Sequence, residues 1–463
     1  MQTRHFQDLK DKRLLRRGNF ILNRLFTQSV HSIRQLTHSD SEAKAMYRFL
    51  QNDNVSEDAI IRNMSSNCVS CVGNKSVLCI QDTTEINLYN HKNRIKKDDS
   101  IGITQASKGG LGFFIHPSFI VDSQTLMPYG FSDVKVWNRG YVAERKTKNH
   151  KYHLIPIEEK ESYRWLESSL KTKKVLDKAS EIIIVQDREG DIYDQFCLIP
   201  DARTHLLIRA KSNRKLQGKQ KLFEYLSAQP LQGNYTVKLE GDKRKNIEKR
   251  IASLEVRYSE VVVQSNKYKN KNLPENVTLY AIEAKEVGAN IENPIHWRLL
   301  TTKTVETLEQ ALLCIEWYTC RWVIEEVFRI LKKGGFNIEA SELSRGKAIR
   351  KLCLMMLETI IKLFIMKIAY DTEEETNPRS CFSQQEIECL EAQIEQLEGN
   401  TQKLKNPYTA SDLKRYIWVI ARLGGWKGYR KQRKPGIRTF WIGLQKFYAI
   451  RQGWVLFRDV SRR

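Results

Sequence analysis

Two short apolar runs in this sequence end in the same dipeptide, Gln-Asp. The run VLCI leads into Gln81 and Asp82, and the run EIIIV leads into Gln186 and Asp187. Short apolar runs rich in β-branched residues predict buried strands. An aspartate at the end of such a strand is costly unless a partner satisfies its charge. The sequence therefore predicts two buried strands that each end in a functional carboxylate, although either aspartate could instead cap a turn.

The order of the other segments predicts a mixed α/β fold. The first 65 residues are helical in pattern, and β-type runs begin near residue 70. One helical stretch precedes EIIIVQD, and further β-type runs fill residues 205–302. Strands followed by a helix and another strand favour a mixed sheet with helical cover. The most apolar segment, 351–370, contains four charged residues and is predicted to be a buried or half-buried helix instead of a membrane span.

One helical pattern of nearly thirty residues, TVETLEQALLCIEWYTCRWVIEEVFRILKKGG, ends at Gly334 and Gly335. At roughly 100° per residue it places four polar side chains on one stripe and an apolar face opposite. The stripe contains Tyr318, Arg321, Glu325 and Lys332. The apolar face contains Val323, Ile324, Val327, Ile330 and Leu331. An alternative is that Arg321 and Glu325 form only an ordinary ion pair one helical turn apart.

The charge distribution indicates a polyanionic partner. The chain has 77 Lys and Arg against 54 Asp and Glu, a net charge of +23. Residues 401–463 hold 16 basic against 2 acidic side chains, and residues 1–40 hold 8 against 3, whereas residues 371–400 hold 1 against 9. Local basic excess of this kind favours a polyanion, such as double-stranded DNA, as the partner. The alternative for the first 65 residues is an amphipathic bundle with a solvated basic face.

The cysteines and the first residues predict a cytoplasmic protein. Nine cysteines without a regular framework fit a reducing compartment, and MQTRHFQDLKDKR lacks the apolar core of a signal peptide. Cys68 and Cys71 form one CxxC, but no second ligand pair follows, so a zinc site is disfavoured.

The two strand-end aspartates and a helical glutamate predict a magnesium site. Asp82, Asp187 and Glu325 could together hold two Mg²⁺ ions, with Mn²⁺ as a substitute, because hard cations prefer carboxylate oxygens. Two such ions about 4 Å apart activate the attacking oxygen and stabilise the leaving oxygen of a phosphodiester. Within DREGD, Glu189 and Asp191 compete with Asp187 as the ligand.

These residues carry a resemblance to a known family. QDTT, DREGD and the spacing Y-x2-R-x3-E-x6-K resemble the DDE transposases of bacterial cut-and-paste insertion sequences, in the branch with a Tyr-Arg-Glu-Lys signature. AMYRFLQNDNVSEDAI, at 45–60, resembles the segment before the catalytic domain, and IARLGGW, at 420–426, resembles the C-terminal association domain.

The resemblance implies an α/β fold, a ribonuclease H-like catalytic core with a β-rich insertion, and helical domains on both sides. The implied domains are a DNA-end-binding domain at 1–68, the catalytic domain at 69–365 with the insertion at about 205–302, and a basic dimerisation domain at 366–463.

The resemblance also implies roles for single residues. The catalytic metal ligands would be Asp82, Asp187 and Glu325, and the contacts to DNA phosphates would be Tyr318, Arg321 and Lys332. The pocket for a flipped base beside a hairpin end would contain Arg209, Trp297 and Trp322, although Trp297 could equally be a core tryptophan. The N-terminal DNA contacts would come from among Lys10, Lys12, Arg13, Arg16 and Arg17.

The expected function is cut-and-paste DNA transposition. A homodimer would bind the terminal inverted repeats in a synaptic complex, cleave them through a hairpin intermediate, and join the 3′-OH ends to target DNA in the bacterial nucleoid. Two alternatives are a regulator that occupies the ends without cutting and a structure-specific nuclease of the same fold.

Overall fold

The computed structural model describes most of the chain. It leaves out residues 1–5, 7–8, 29–31, 97, 105–108, 141–154, 219, 240–249, 266–271, 289–290, 292, 430–431 and 462–463. The described strands are β1 (Ser76–Gln81), β2 (Thr84–Asn87), β3 (Gly102–Ile103), β4 (Leu111–Asp122), β5 (Pro128–Trp137), β6 (Glu181–Gln186), β7 (Thr204–Arg209), β8 (Gly233–Leu239), β9 (Arg250–Gln264), β10 (Asn276–Glu286) and β11 (His296–Thr301).

The helices lie mainly before and after the strands. They are α1 (Lys12–Gln28), α2 (Asp40–Gln51), α3 (Glu57–Val72), α4 (Tyr163–Val175), α5 (Tyr193–Leu198), α6 (Leu222–Ser227), α7 (Leu308–Thr319), α8 (Trp322–Arg329), α9 (Gly346–Asp371), α10 (Gln384–Leu397), α11 (Leu413–Leu423) and α12 (Ile437–Ser461). In the described part of the chain, no helix is long and apolar enough to cross a membrane.

The described strands form one mixed sheet, as the sequence predicts. Its order is β2-β4-β1-β6-β7-β11-β10-β9-β8, and β3 and β5 also pair with β4. Strands β1, β6 and β7 run parallel to one another, whereas β4 and β11 run antiparallel to their neighbours. The β-type runs predicted between 205 and 302 are confirmed as β7 to β11, and they continue the same sheet.

Helix α9 forms the centre of the helical part. The prediction of a buried helix at 351–370 is confirmed, because nearly every side chain of α9 is buried. Helices from both ends of the chain, α1, α2, α3, α11 and α12, contact α9. One hydrophobic cluster therefore joins Leu25, Leu78, Met356 and Phe440, which lie far apart in the sequence.

Candidate active site

The parallel pairing of β1 and β6 brings the two Gln-Asp dipeptides to one edge of the sheet. Ile80 lies opposite Val185 in the register. Each strand has one further residue, a glutamine, before the aspartate. Asp82 and Asp187 therefore leave adjacent parallel strands at equivalent positions.

The two glutamines are buried beneath these aspartates and bind each other. Gln186 Nε2 donates to Gln81 Oε1 at 2.7 Å, and Gln195 Nε2, from α5, donates to Gln186 Oε1 at 2.9 Å. Gln195 Nε2 also donates to the Gly190 carbonyl at 2.7 Å. Because buried amides are costly unless paired, this network fixes the strand ends and the turn after Asp187. In the sequence, the repeated Gln-Asp dipeptide marks two glutamines of this network, whereas no pattern indicates the third, Gln195.

Asp82 is held by two donors in a largely buried position. The Thr83 backbone N–H donates to Asp82 Oδ1 at 2.7 Å, and Arg321 Nη1 donates to Oδ2 at 3.0 Å. Burial raises the pKa of Asp82 to about 6. The charges of Glu325 and Asp187 also raise this pKa, whereas the hydrogen bond from Thr83 and the charge of Arg321 lower it. Burial is the main cause, because removal from water disfavours the charged form of a carboxyl.

The other contacts come from the helices after β11. Tyr318, near the end of α7, donates its hydroxyl to Asp187 Oδ1 at 3.1 Å. Arg321 Nη1 lies 3.3 Å from Glu325 Oε1 as well as bonding Asp82. Burial and the Asp187 charge raise the pKa of the Tyr318 hydroxyl, which therefore stays protonated as a donor. Arg321 thus joins Asp82 to Glu325, and Tyr318 binds Asp187.

The single long helix predicted over these residues is wrong in one respect, because it is broken between Thr319 and Trp322. The N–H groups of Cys320 and Arg321 bond to carbonyls three residues earlier, as in a 3-10 turn. The Thr319 hydroxyl and the Cys320 thiol both donate to the Glu316 carbonyl, competing with the backbone for that acceptor. Tyr318 and Arg321, which lie at this break, are both buried.

The three carboxylates are chemically suitable metal ligands, but in this structure the Arg321 guanidinium binds two of them. Among the described residues, no three His, Cys, Asp or Glu side chains form a group that could hold a metal ion. Arg321 Nη1 contacts both Asp82 and Glu325. Three carboxylates are nevertheless a donor set for hard divalent ions. Asp82, Asp187 and Glu325 are the residues that would hold such an ion.

Comparison with protein families identifies the chain. The family model "Transposase DDE domain" matches residues 174–360, which include Asp187, Tyr318, Arg321 and Glu325. The family model "Transposase DNA-binding" matches residues 3–55. The chain belongs to the DDE transposases. The DDE domain implies DNA cleavage and strand transfer in general, and domains of this kind typically use divalent metal ions.

In this transposase, the alternative metal ligands within DREGD, Glu189 and Asp191, bind other groups. The Asp191 carboxylate accepts from Arg214 and from the backbone N–H groups of Lys211 and Ser212. Glu189 accepts from Arg164 of α4. Asp187 is therefore the acid of DREGD that contacts Tyr318.

Lys332 lies away from the contacts between the three acids. It belongs to a short π-helical segment, Ile330–Gly334, that follows α8 and ends at the predicted glycines. Burial lowers the pKa of Lys332, and the charges of Glu339 and Glu85 act against this. Its phosphate contact stays a prediction.

The predicted base pocket lies beside Tyr318. The Trp297 ring meets the Tyr318 ring edge to face at 5.7 Å between centroids. Arg209 Nη2 donates to the His296 carbonyl at 3.2 Å, on the strand that carries Trp297. Trp322 is 60% exposed, with the Arg321 guanidinium 4.8 Å from its ring. Its exposed face leaves an aromatic surface next to the acids.

The predicted N-terminal contacts all lie within the matched DNA-binding region of the transposase. Lys10, just before α1, and Lys12, Arg13 and Arg16 on α1 are exposed, and the Arg17 guanidinium lies 5.4 Å from the Phe20 ring. DNA is therefore a partner of this chain.

Proposed function

We propose that this transposase cuts and pastes its own element. A homodimer binds the terminal inverted repeats in a synaptic complex, cleaves them by Mg²⁺-dependent phosphoryl transfer with a hairpin intermediate, and joins the 3′-OH ends to target DNA. The observation that carries the proposal is the set of contacts in which Arg321 binds Asp82 and Glu325 while Tyr318 binds Asp187. A binding protein without catalysis has no need for three acids around one buried arginine.

We assign the central sheet to a ribonuclease H-like core. The adjacent order β4-β1-β6-β7, with β4 antiparallel and the other three parallel, supports this assignment. In the proposed division, residues 69–365 are catalytic, about 205–302 are a β-rich insertion, 1–68 bind the DNA end, and 366–463 hold the dimer. The spacing of Tyr318, Arg321, Glu325 and Lys332 supports membership of the Tyr-Arg-Glu-Lys branch.

The chain's own groups bind and orient the DNA. Two Mg²⁺ ions, or Mn²⁺ in their place, would be held by the three acids and would supply Lewis acidity at the attacking and leaving oxygens. Arg321 is a buried guanidinium that would bind the reacting phosphate, with Tyr318 as a second donor. Lys332 adds a third phosphate contact.

The aromatic groups suit an unstacked base. Stacking on an aromatic face is worth about 1 to 3 kcal/mol per base. Trp322 offers such a face beside Arg321 and Trp297 offers one beside Tyr318, and Arg209 binds the strand that carries Trp297. We assign these three residues to the flipped base of the hairpin step.

Cleavage of a labelled DNA that carries the element's own end tests the proposal. We expect cutting by the wild type with Mg²⁺, and a loss of at least a hundredfold in Glu325→Ala and Asp187→Asn with binding of the end retained. The control is Glu326→Ala, which removes the neighbouring acid on α8, an acid paired with Arg329 on the helix surface. Wild-type rates in either active-site variant would remove that acid from the site.

A regulator that occupies the ends without cutting is the second candidate. It is favoured by the position of Arg321, which already neutralises Asp82 and Glu325. Selective binding of the end without cutting by any variant, in Mg²⁺ or Mn²⁺, would support the regulator and overturn the transposition proposal.

A further inference from the structure

A buried arginine on α4 contacts both loops that carry the aspartates. The Arg164 side chain is almost completely enclosed. Its Nε donates to Thr83 Oγ1 at 2.9 Å, its Nη2 bonds the Glu189 carboxylate, and its Nη1 donates to the Glu161 carbonyl at 2.9 Å. All three nitrogens therefore have partners, and two of these partners lie next to the proposed metal ligands.

The two partners belong to different loops. Thr83 follows Asp82 directly, and its backbone N–H fixes the Asp82 carboxylate. Glu189 lies in the 3-10 turn that follows Asp187, and this turn is closed by the Gly190 N–H donating to the Asp187 carbonyl at 2.9 Å. One guanidinium thus bridges the loop after β1 and the loop after β6.

The direction of these hydrogen bonds is determined by their chemistry. Arginine only donates, so the Thr83 hydroxyl accepts from Arg164 and has its single proton left to donate. Its other neighbour is His116 Nδ1 at 2.9 Å. His116 is fully buried on β4, and burial, with the charge of Arg164, lowers its pKa well below the ordinary value. The Thr83 hydroxyl therefore lies between Arg164 and His116 and is held from both sides.

We infer that Arg164 is a positioning residue for the proposed cleavage, tying the Asp82 and Asp187 loops together so that both carboxylates present one divalent-cation site. The inference rests on the proposed function. A planar guanidinium is suited to this task because its fork reaches two acceptors in different directions, whereas a lysine ammonium is a point charge on a flexible stem. Groups that orient metal ligands from behind typically change metal affinity by about 10 to 100-fold when they are removed.

The test compares Arg164→Ala and Arg164→Lys with a matched arginine variant. Arg139→Ala is the control, because Arg139 forms a two-pronged ion pair with Glu161 just before α4 but lies outside the contacts to Thr83 and Glu189. Hydrogen–deuterium exchange of the full-length protein without DNA reports the loop at 82–83, measured with the adjoining β2, and the loop at 187–192. The same proteins are then assayed for binding of the end DNA, for Mn²⁺ binding by paramagnetic resonance, and for the Mg²⁺ concentration that gives half-maximal cleavage.

We expect both loops to exchange at least tenfold faster in Arg164→Ala, with β1, β6 and α4 still protected. Arg164→Lys should keep the fold but need about tenfold more Mg²⁺ and bind Mn²⁺ about tenfold more weakly, with end-DNA affinity unchanged within twofold. Arg139→Ala should match the wild type in all four measurements.

Two results would overturn the inference. One is exchange in the two loops that matches the wild type in Arg164→Ala. The other is faster exchange spread evenly over β1, β6 and α4, which would mean that Arg164 only supports the fold. A wild-type protein that does not cut would contradict the proposed function instead, and the exchange comparison would still decide whether Arg164 links the loops.

Discussion

At the scale of single residues, Arg321 determines the state of the site. Burial alone would lower its pKa, but the charges of Asp187 and Asp82 more than offset this and raise it. The guanidinium therefore stays charged and partly neutralises carboxylates that would otherwise repel one another. A metal cation could replace Arg321 as the partner of the acids, and a DNA phosphate could replace the acids as the partner of Arg321. The structure thus describes a site in which the Arg321 guanidinium partly neutralises the acids.

The position of Trp297 beside Tyr318 gives a second prediction at the scale of single residues. Trp297→Ala should slow hairpin formation by about tenfold to a hundredfold and first-strand nicking much less, because a lost stacking contact of about 1 to 3 kcal/mol acts only on an unstacked base. The two products are separated on denaturing gels from one end-labelled DNA. Since Trp297 also packs on Tyr318, Trp297→Phe is the control and should recover most of the hairpin rate. Equal losses of both steps would contradict the stacking role.

At the scale of elements, helix α9 shows how charged residues are accommodated in a buried helix. Lys351 donates to the Asn52 carbonyl at 2.8 Å, and Glu358 accepts from Asn67 at 3.0 Å. Lys362 donates to the Tyr448 hydroxyl at 2.7 Å and lies 3.5 Å from Glu386 of α10. These bonds connect α9 to the segments around it.

The Lys362 contacts predict a pH dependence of stability. Burial would raise the pKa of Glu386, but Lys362 and the Tyr448 hydroxyl lower it from 4.5 to about 2. A carboxyl with a lowered folded pKa stabilises the fold above the unfolded value, so this contribution should disappear as the pH falls from about 4.5 to about 2. Glu386→Gln should cost about 3 kcal/mol at pH 7, because it leaves Lys362 buried without its counterion.

Urea unfolding at pH 7 and at lower pH measures this effect. The stability difference between wild type and Glu386→Gln should shrink as the pH falls below 4.5. Glu395→Gln, which changes an exposed acid on the same helix, should behave like the wild type throughout. A difference that is independent of pH would show that the Glu386 charge contributes nothing.

At the scale of the whole molecule, the two ends of the chain share one core. Helices α1 and α12 contact each other as well as α9. The boundaries predicted at 68 and 365 lie inside α3 and α9, so the proposed domains are continuous with their neighbours through buried helices. The division into domains stays a prediction, as does the dimer.

This packing predicts the result of truncation. A chain that ends near residue 371 loses α11 and α12, which cover α9, and should be insoluble or bind hydrophobic dyes because large apolar faces are left exposed. Ending the chain after Gly453 is the control, since it keeps the buried Phe447 and Tyr448 and removes the exposed Leu456 and Phe457. Near-ultraviolet circular dichroism and thermal unfolding measure the outcome. A cooperative transition in the shorter chain would mean that the catalytic part folds alone.

The sequence by itself determined the elements whose signal is local. The apolar runs before Asp82 and Asp187 predicted strands, and the charged but mostly apolar segment 351–370 predicted a buried helix, because burial follows from composition within a few residues. The family was also readable from the short motifs around Asp82, Asp187 and Glu325.

Only the tertiary structure decided which side chains satisfy the buried charges. The broken helix at Cys320 depends on competition for the Glu316 carbonyl, and the joining of the aspartate loops depends on Arg164, which is 81 residues from Thr83. Long-range partners leave no periodic pattern in the sequence, because a hydrogen bond between distant residues constrains only its two ends. The sequence therefore indicates which acids belong to the site, whereas the tertiary structure determines which groups bind them.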